Sequence, residues 1–373
     1  MEKKERLPGI ELLRIFCIVG IIIMHFLGGI SNGFQFAEDN GFTMTWNSMW
    51  ILELIFCPAV DIFIIISGYF LYGTSERSWW KPIKLLSEVV IINIFTFLLK
   101  IIIVTLFNDS FIKQLPNTNI LGIVRLLLPV NYFAILYSVL YFISYYYNIL
   151  CQNLNNKTYR HFVIYLFVLF SIFGFSIDIL QNFFNEDIMF GLSPIGSAGS
   201  QAGYTIINFS LCYVIGTYIA AYRETFNKTS NVRLVLLLLI NFILQFCWLH
   251  ICKKLQLLNH YTNAYNNPLV IINAVILFVL FSRIKISNNN LTKIINVLAK
   301  SVFFTFLTHS YLLGEIKPNL IVSDNPLKTL AFIFIISFVI YIICFICFLV
   351  FNFFEQKVLR LLYKKFGNLY INY

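Results

Sequence analysis

Apolar runs about twenty residues long recur from one end of this 373-residue sequence to the other. A bilayer's hydrocarbon core is about 30 Å thick, and a helix rises about 1.5 Å per residue, so each run is of spanning length. Lipid offers no hydrogen-bond partners, so a spanning segment has to satisfy its own backbone, and a helix does so within one segment. Ten segments can be drawn, at 9–30, 49–73, 82–107, 131–150, 160–180, 203–222, 232–252, 267–283, 296–315 and 327–353. Only 12% of the residues are charged, against about 25% in a typical soluble domain. The sequence therefore predicts an all-α, polytopic transmembrane bundle of about ten helices. It reads as one domain over 1–373, with a short basic tail at 354–373.

The net charge of +10 does not point to nucleic acid, because the basic residues follow the loops. With the N-terminus placed inside, 19 of the 27 Lys and Arg fall in inner segments and six in outer ones. That bias predicts cytoplasmic N- and C-termini and a multi-pass protein of the plasma membrane. The first run is too long for a signal-peptide core, carries Arg and His, and lacks a clear small-residue cleavage site, so it is expected to remain as the first helix. The eight Cys lie mostly in or beside apolar runs and show no metal-binding spacing, and Cys344-x-x-Cys347 reads as packing.

Against that background a few residues are costly. The first run holds Glu11, Arg14 and His25. Arg14 and His25 are separated by eleven positions, which leaves them within roughly 20° of azimuth and about 16 Å apart along a helix. Ionisable groups at membrane depth usually face a protein interior or a wet cavity, so this face is a candidate site. The bland alternative is a snorkelling Arg and a packed His. The second run holds Asp61 near the expected midplane, where it needs a partner or a cavity, and the small pair Ser67-Gly68, which suits a close helix crossing. His309, in SVFFTFLTHSYL, is a second intramembrane imidazole. Arg77, Lys81 and Lys84 cluster in the inner loop after the second run, either as a phosphate grip or as topology determinants beside anionic lipid. Segment 119–130 is too short to span. The Gly- and Ser-rich stretch within 181–202 reads as a flexible lid or a linker.

Four stretches resemble, in order, those of the acyltransferase-3 family of membrane proteins. They are RLPGIELLRIFCIVGIIIMHF, VDIFIIISGYFLY, YNNPLVIINAVILFVLF and SVFFTFLTHSYL, and the resemblance covers nearly the whole chain. It is strongest to the Gram-positive branch found in polysaccharide and capsule biosynthesis. The family's Arg and His carry over to Arg14 and His25, and its acidic position to Glu11. Its basic cluster carries over loosely to Lys81 and Lys84, where many members have Arg. Asp61 stands where Asn is common. Phe306 to His309 stand where the family writes Tyr-Leu-Ile-His, and Phe133-Ala134 replace a Trp-Phe pair.

The resemblance implies a bacterial O-acyltransferase that moves an acyl group, commonly acetyl from cytoplasmic acetyl-CoA, onto a hydroxyl of a surface polysaccharide or its lipid-linked precursor. No appended esterase-like domain is visible, which favours a stand-alone glycan acyltransferase. It implies no tightly bound cofactor, with acyl-CoA as donor substrate. Arg14, Arg77, Lys81 and Lys84 would meet the donor. His25, Arg14 and Glu11 would form the catalytic set, and Asp61, Ser67 and His309 would support the acceptor. His25 would act as base or as acyl carrier. The residues alone leave a second class open, a glycan or lipid-linked sugar transporter with the same charges lining its path.

Overall fold

A computed structural model describes residues 7–74, 78, 80–107, 120–184, 193–196, 199–258 and 261–366. The described residues are helical, with no strand among them. In chain order the helices are α1 (Pro8–Leu27), α2 (Gly33–Asp39), α3 (Thr43–Phe56), α4 (Ala59–Leu71), α5 (Trp80–Phe107), α6 (Ile120–Leu127), α7 (Tyr132–Asn153) and α8 (Asn156–Leu166). After a π-helical stretch at Phe167–Phe173 come α9 (Gly174–Phe184), α10 (Ile206–Ala221), α11 (Arg223–Lys228), α12 (Asn231–Lys254), α13 (Pro268–Ser282), α14 (Asn289–Ala299), α15 (Val302–Leu313) and α16 (Pro326–Phe366).

Each of the ten expected segments is helical, but not all are of spanning length. Among the described residues seven spans are long and apolar enough to cross a membrane. An eighth is the pair α14 and α15, bent by 57° at its break. The remaining two expected spans are α10 and α13, with 16 and 15 residues, or only about 22–24 Å of helix. The reason lies in the loops ahead of them. Thr205 caps α10 and Asn267 caps α13, each side chain accepting a backbone N–H of the first turn. The preceding loops bind one another, with Tyr265 N donating to the Ala202 carbonyl at 2.9 Å. Irregular backbone replaces the missing turns. At membrane depth that is tolerable only where it is buried in protein or lines a cavity, and these loops line one.

Helix α1 is the hub. It packs against α3, α4, α13, α14, α15 and α16, and Ile10, Leu13, Cys17, Ile18, Ile22 and Ile23 are fully buried. Around it, the closest crossing is α4 on α10. A Cβ at Gly68 would stand 2.2 Å from the Tyr213 carbonyl oxygen, and one at Gly216 would stand 2.3 Å from that of Ile65. Only glycine permits such approach of backbones, a common device between membrane helices. The outer helices show the reverse pattern. On α12, Leu236, Leu237, Ile240 and Ile243 are exposed while Asn241 and Gln245 are buried. Asn241 donates to Asn273 Oδ1 at 2.7 Å, and Asn273 donates to Gln245 Oε1 at 2.6 Å. An apolar outside with polar bonds between helices is the inverse of a soluble bundle and fits a lipid surround. The chain is a multi-pass membrane protein.

The Gly- and Ser-rich stretch is partly described, and there it is pinned. The Ser200 hydroxyl donates to Asp178 on α9, Ser200 N donates to the same carboxylate at 3.0 Å, and Asn266 Nδ2 donates to Ser200 Oγ at 2.6 Å. The π-helical stretch joins this knot, since Ser171 Oγ donates to the Asn266 carbonyl at 2.8 Å. Segment 119–130 supplies the short helix α6, and its end, Val130, reaches the cavity described next.

Candidate functional site

The ionisable face of α1 opens on two cavities. The first, of about 500 Å³, is lined by His25 and Met24 of α1, Glu53 and Cys57 near the end of α3, Asn93 of α5, and His309 of α15. The two loops that shorten α10 and α13 complete it through Ala202, Tyr204, Asn263 and Tyr265. The second, of about 430 Å³, is lined by Glu11 and Arg14, by Phe63 and Ser67 of α4, by Tyr137 of α7, and by Lys300 at the α14–α15 break. Ile21, Val60 and Phe306 line both, so the two spaces meet at an apolar boundary. The eleven-residue spacing of Arg14 and His25 sets about 16 Å of helix between them. They share one face of α1 but not one cavity.

In the first cavity the histidines form a chain. His25 Nδ1 lies 2.8 Å from His309 Nε2, and the rings stack with centroids 4.9 Å apart. His309 Nδ1 lies 2.8 Å from the Thr305 carbonyl oxygen, one turn back on α15. A carbonyl can only accept, so His309 Nδ1 carries the hydrogen. In a neutral ring the other nitrogen then carries none, so His309 Nε2 accepts from His25 Nδ1–H. Neutral His25 is left with an unprotonated Nε2. His309 is 1% exposed while His25 is half-buried, so the lone pair belongs to the more accessible member of the pair. The order of roles matches a base held in one tautomer by a second group.

In the second cavity the contacts are longer. Arg14 Nη1 lies 3.4 Å from both oxygens of Glu11. The Glu11 side chain is 7% exposed and that of Arg14 is 35%. The acid is thus seated in the protein and the guanidinium is only loosely held, with donors to spare. Lys300 is exposed at the rim of the same space.

Other residues marked in the sequence lie elsewhere. Asp61 is buried between α4 and α10 and accepts from Asn208 Nδ2 at 3.0 Å, outside the linings of both cavities. The Ser67 hydroxyl lines the second cavity but donates to the Phe63 carbonyl of its own helix at 2.9 Å. Lys84 pairs with Glu88 at 3.4 Å, and Lys81 sits 5.8 Å from the Tyr141 ring centroid. Neither lines either cavity. Arg77 lies outside the described residues. The intramembrane Lys100 pairs with Glu315 at 3.6 Å.

Comparison with known families decides what this frame belongs to. The model of the family described as "Acyltransferase domain" matches residues 7–349, which takes in α1, both cavities and both histidines. The chain belongs to the acyltransferase domain family. No curated protein and no solved structure gives a significant match. This membrane acyltransferase thus places its α1 Arg and His on opposite sides of an apolar boundary.

Sequence reasoning passed over Glu53, Lys300, Asn263, Tyr132, Tyr204 and Tyr265 as site residues. Lys300 had a local signal, since it directly precedes the closing SVFFTFLTHSYL block. Asn263 and Tyr265 sit in a loop, YTNAYNN, that is polar and aromatic between two apolar runs. Such a loop at the head of a short helix is the signature of backbone entering a cavity.

Proposed function

We propose that this acyltransferase moves an acyl group, acetyl in the simplest case, from a cytoplasmic acyl-CoA to a hydroxyl of a surface polysaccharide or its lipid-linked precursor. The observation that carries the reading is the Thr305–His309–His25 chain, which leaves an unprotonated nitrogen on His25 in a cavity large enough for a sugar ring. His25 Nε2 takes the proton of the acceptor hydroxyl as its oxygen attacks the thioester carbonyl. The carbon–sulfur bond breaks, and the departing thiolate recovers that proton, so ester and free thiol leave and His25 is neutral again. His309 holds the ring and shares the charge that forms on it.

The second cavity suits the donor. Arg14 and Lys300 offer fixed positive charge to phosphates, and Glu11 seats the Arg14 head. The positive-inside count puts this end toward the cytoplasm, where the donor is found. The groups on α1 then divide the work, with Arg14 on the donor and His25 on the acceptor.

The test uses the full-length protein in nanodiscs, supplied with acyl-CoA labelled in the acyl group and with surface glycan. Label should enter the glycan as an alkali-labile ester, and His25→Ala should abolish it while protein yield stays unchanged. Full transfer by His25→Ala sinks the assignment. Passage of glycan across a vesicle membrane without covalent label supports a transporter instead.

A further inference from the structure

One group in the first cavity has no part in the transfer chemistry. Glu53 lies in the last turn of α3, is 5% exposed, and lines the same cavity as His25. Asn263 Nδ2 donates to its Oε1 at 2.6 Å. Its Oε2 has no hydrogen-bond partner among the described residues. A buried carboxylate oxygen left without a donor costs about 1–3 kcal/mol or more, so it is retained where something else supplies the donor. The elements around it are themselves firmly held. Asn263 stands in the loop whose neighbour Asn266 is tied into the Ser200–Asp178 knot, and Tyr265 N is bonded to Ala202.

Facing the same space is a run of phenol rings. Tyr132 and Tyr204 have centroids 4.8 Å apart, as do Tyr204 and Tyr265. All three line the cavity, each from a different segment, and none of the cavity's lining residues is Lys or Arg. A carboxylate oxygen seeking donors, an amide beside it, and an aromatic wall form a chemically specific set. Sugar hydroxyls supply the donors, and the C–H face of a pyranose packs on aromatic rings. A carboxylate or phosphate on the sugar would meet Glu53 with no cation to offset it.

We propose that Glu53, Asn263 and the tyrosines at 132, 204 and 265 form a subsite for an uncharged sugar ring, with Glu53 Oε2 accepting one of its hydroxyls. The inference rests on the glycan reading above and narrows it, because it selects acceptors whose reacting unit carries no anionic group. Glu53 acts by positioning: it fixes the ring so that a second hydroxyl reaches His25.

Binding tests this without the donor. The full-length protein in nanodiscs is titrated calorimetrically with neutral disaccharides (cellobiose, lactose and chitobiose) and with cellobiouronic acid. The unaltered protein should bind at least one neutral disaccharide, and cellobiose about tenfold or more tighter than its uronic acid counterpart. Glu53→Gln should weaken the neutral ligand about tenfold, as expected for loss of a hydrogen bond to a charged group. In transfer assays the same variant should raise the acceptor KM by a similar factor, with kcat and donor KM kept. Equal or tighter binding of the uronic acid, no binding of any neutral disaccharide, or unchanged binding by Glu53→Gln each overturns the subsite. Sugar binding that depends on Glu53 without any acyl transfer leaves the subsite standing and removes the transfer reading. Transfer with an acceptor KM indifferent to Glu53→Gln does the opposite.

Discussion

The two cavities on α1 differ in how firmly their polar groups are held. Around His25 the contacts are short and serial: 2.8 Å from His25 to His309, 2.8 Å on to the Thr305 carbonyl, and 2.6 Å from Asn263 to Glu53. Around Arg14 the ion pair to Glu11 is 3.4 Å long, the Arg14 side chain is 35% exposed, and Lys300 sits at the rim. The contrast fits what the proposed function asks of each space. Proton transfer depends steeply on distance and tautomer, so the base needs a fixed frame. Holding a polyanionic donor depends on charge, which tolerates loose geometry and gains from spare donors.

The sharpest way to break the comparison is to remove the base. His25→Ala should lower transfer by roughly 10²–10⁴-fold, the usual worth of a general base, with the donor KM unchanged. A donor KM that rises in step would mean that the cavities are not functionally separate. His309→Ala should cost less, about 10–100-fold in kcat, because it frees the His25 ring without removing it. Its expected signature is a kcat loss at constant KM for both substrates, read by steady-state kinetics. On the other side, Arg14→Lys keeps the charge and loses the planar fork, so the donor KM should rise about tenfold while the acceptor KM stays put. Lys300→Ala should raise the donor KM about threefold, as suits an exposed cation, and the effect should fade as salt is raised. Smallest of all in activity per folded molecule is Gly216→Ala. Its Cβ would collide with the Ile65 carbonyl oxygen, so it should destabilise the fold by about 1–3 kcal/mol, seen as a lower melting temperature, and leave both KM values alone.

Much of the second cavity and half of the first were readable in the linear chain. Glu11, Arg14 and His25 share a helix, so 100° per residue is enough to align them. The partner of His25 is 284 residues away, and no local pattern announces a contact across that span. The basic cluster was left open by composition, as phosphate grip or topology determinant, and only the family resemblance carried Lys81 and Lys84 to the donor. Lys84 pairs with Glu88 one turn on along α5, and the cation that joins Arg14 in the lining of the second cavity is Lys300. Charge counts locate the side of the membrane and not the position around the bundle. The length of α10 was overread for a related reason, whereas α13 was drawn at nearly its observed length. Hydropathy sums the apolar residues of a run but does not register where Thr205 starts the helix late. Asp61 was visible as an expense, and its partner Asn208 was not, because the α4–α10 crossing that joins them depends on two glycines 148 positions apart.

The boundary of Ile21, Val60 and Phe306 has a consequence for the cell beyond the reaction. Two cavities that meet inside a membrane protein are a potential leak, and among the described residues three hydrocarbon side chains line both. An ion or a proton-bearing water chain crossing that layer would have to shed its hydration against isoleucine, valine and phenylalanine, which is costly. Side chains of this kind, placed where the cavities meet, oppose a continuous polar path between them. Replacing Phe306 with a small polar residue is the change most apt to turn this enzyme into a conductor.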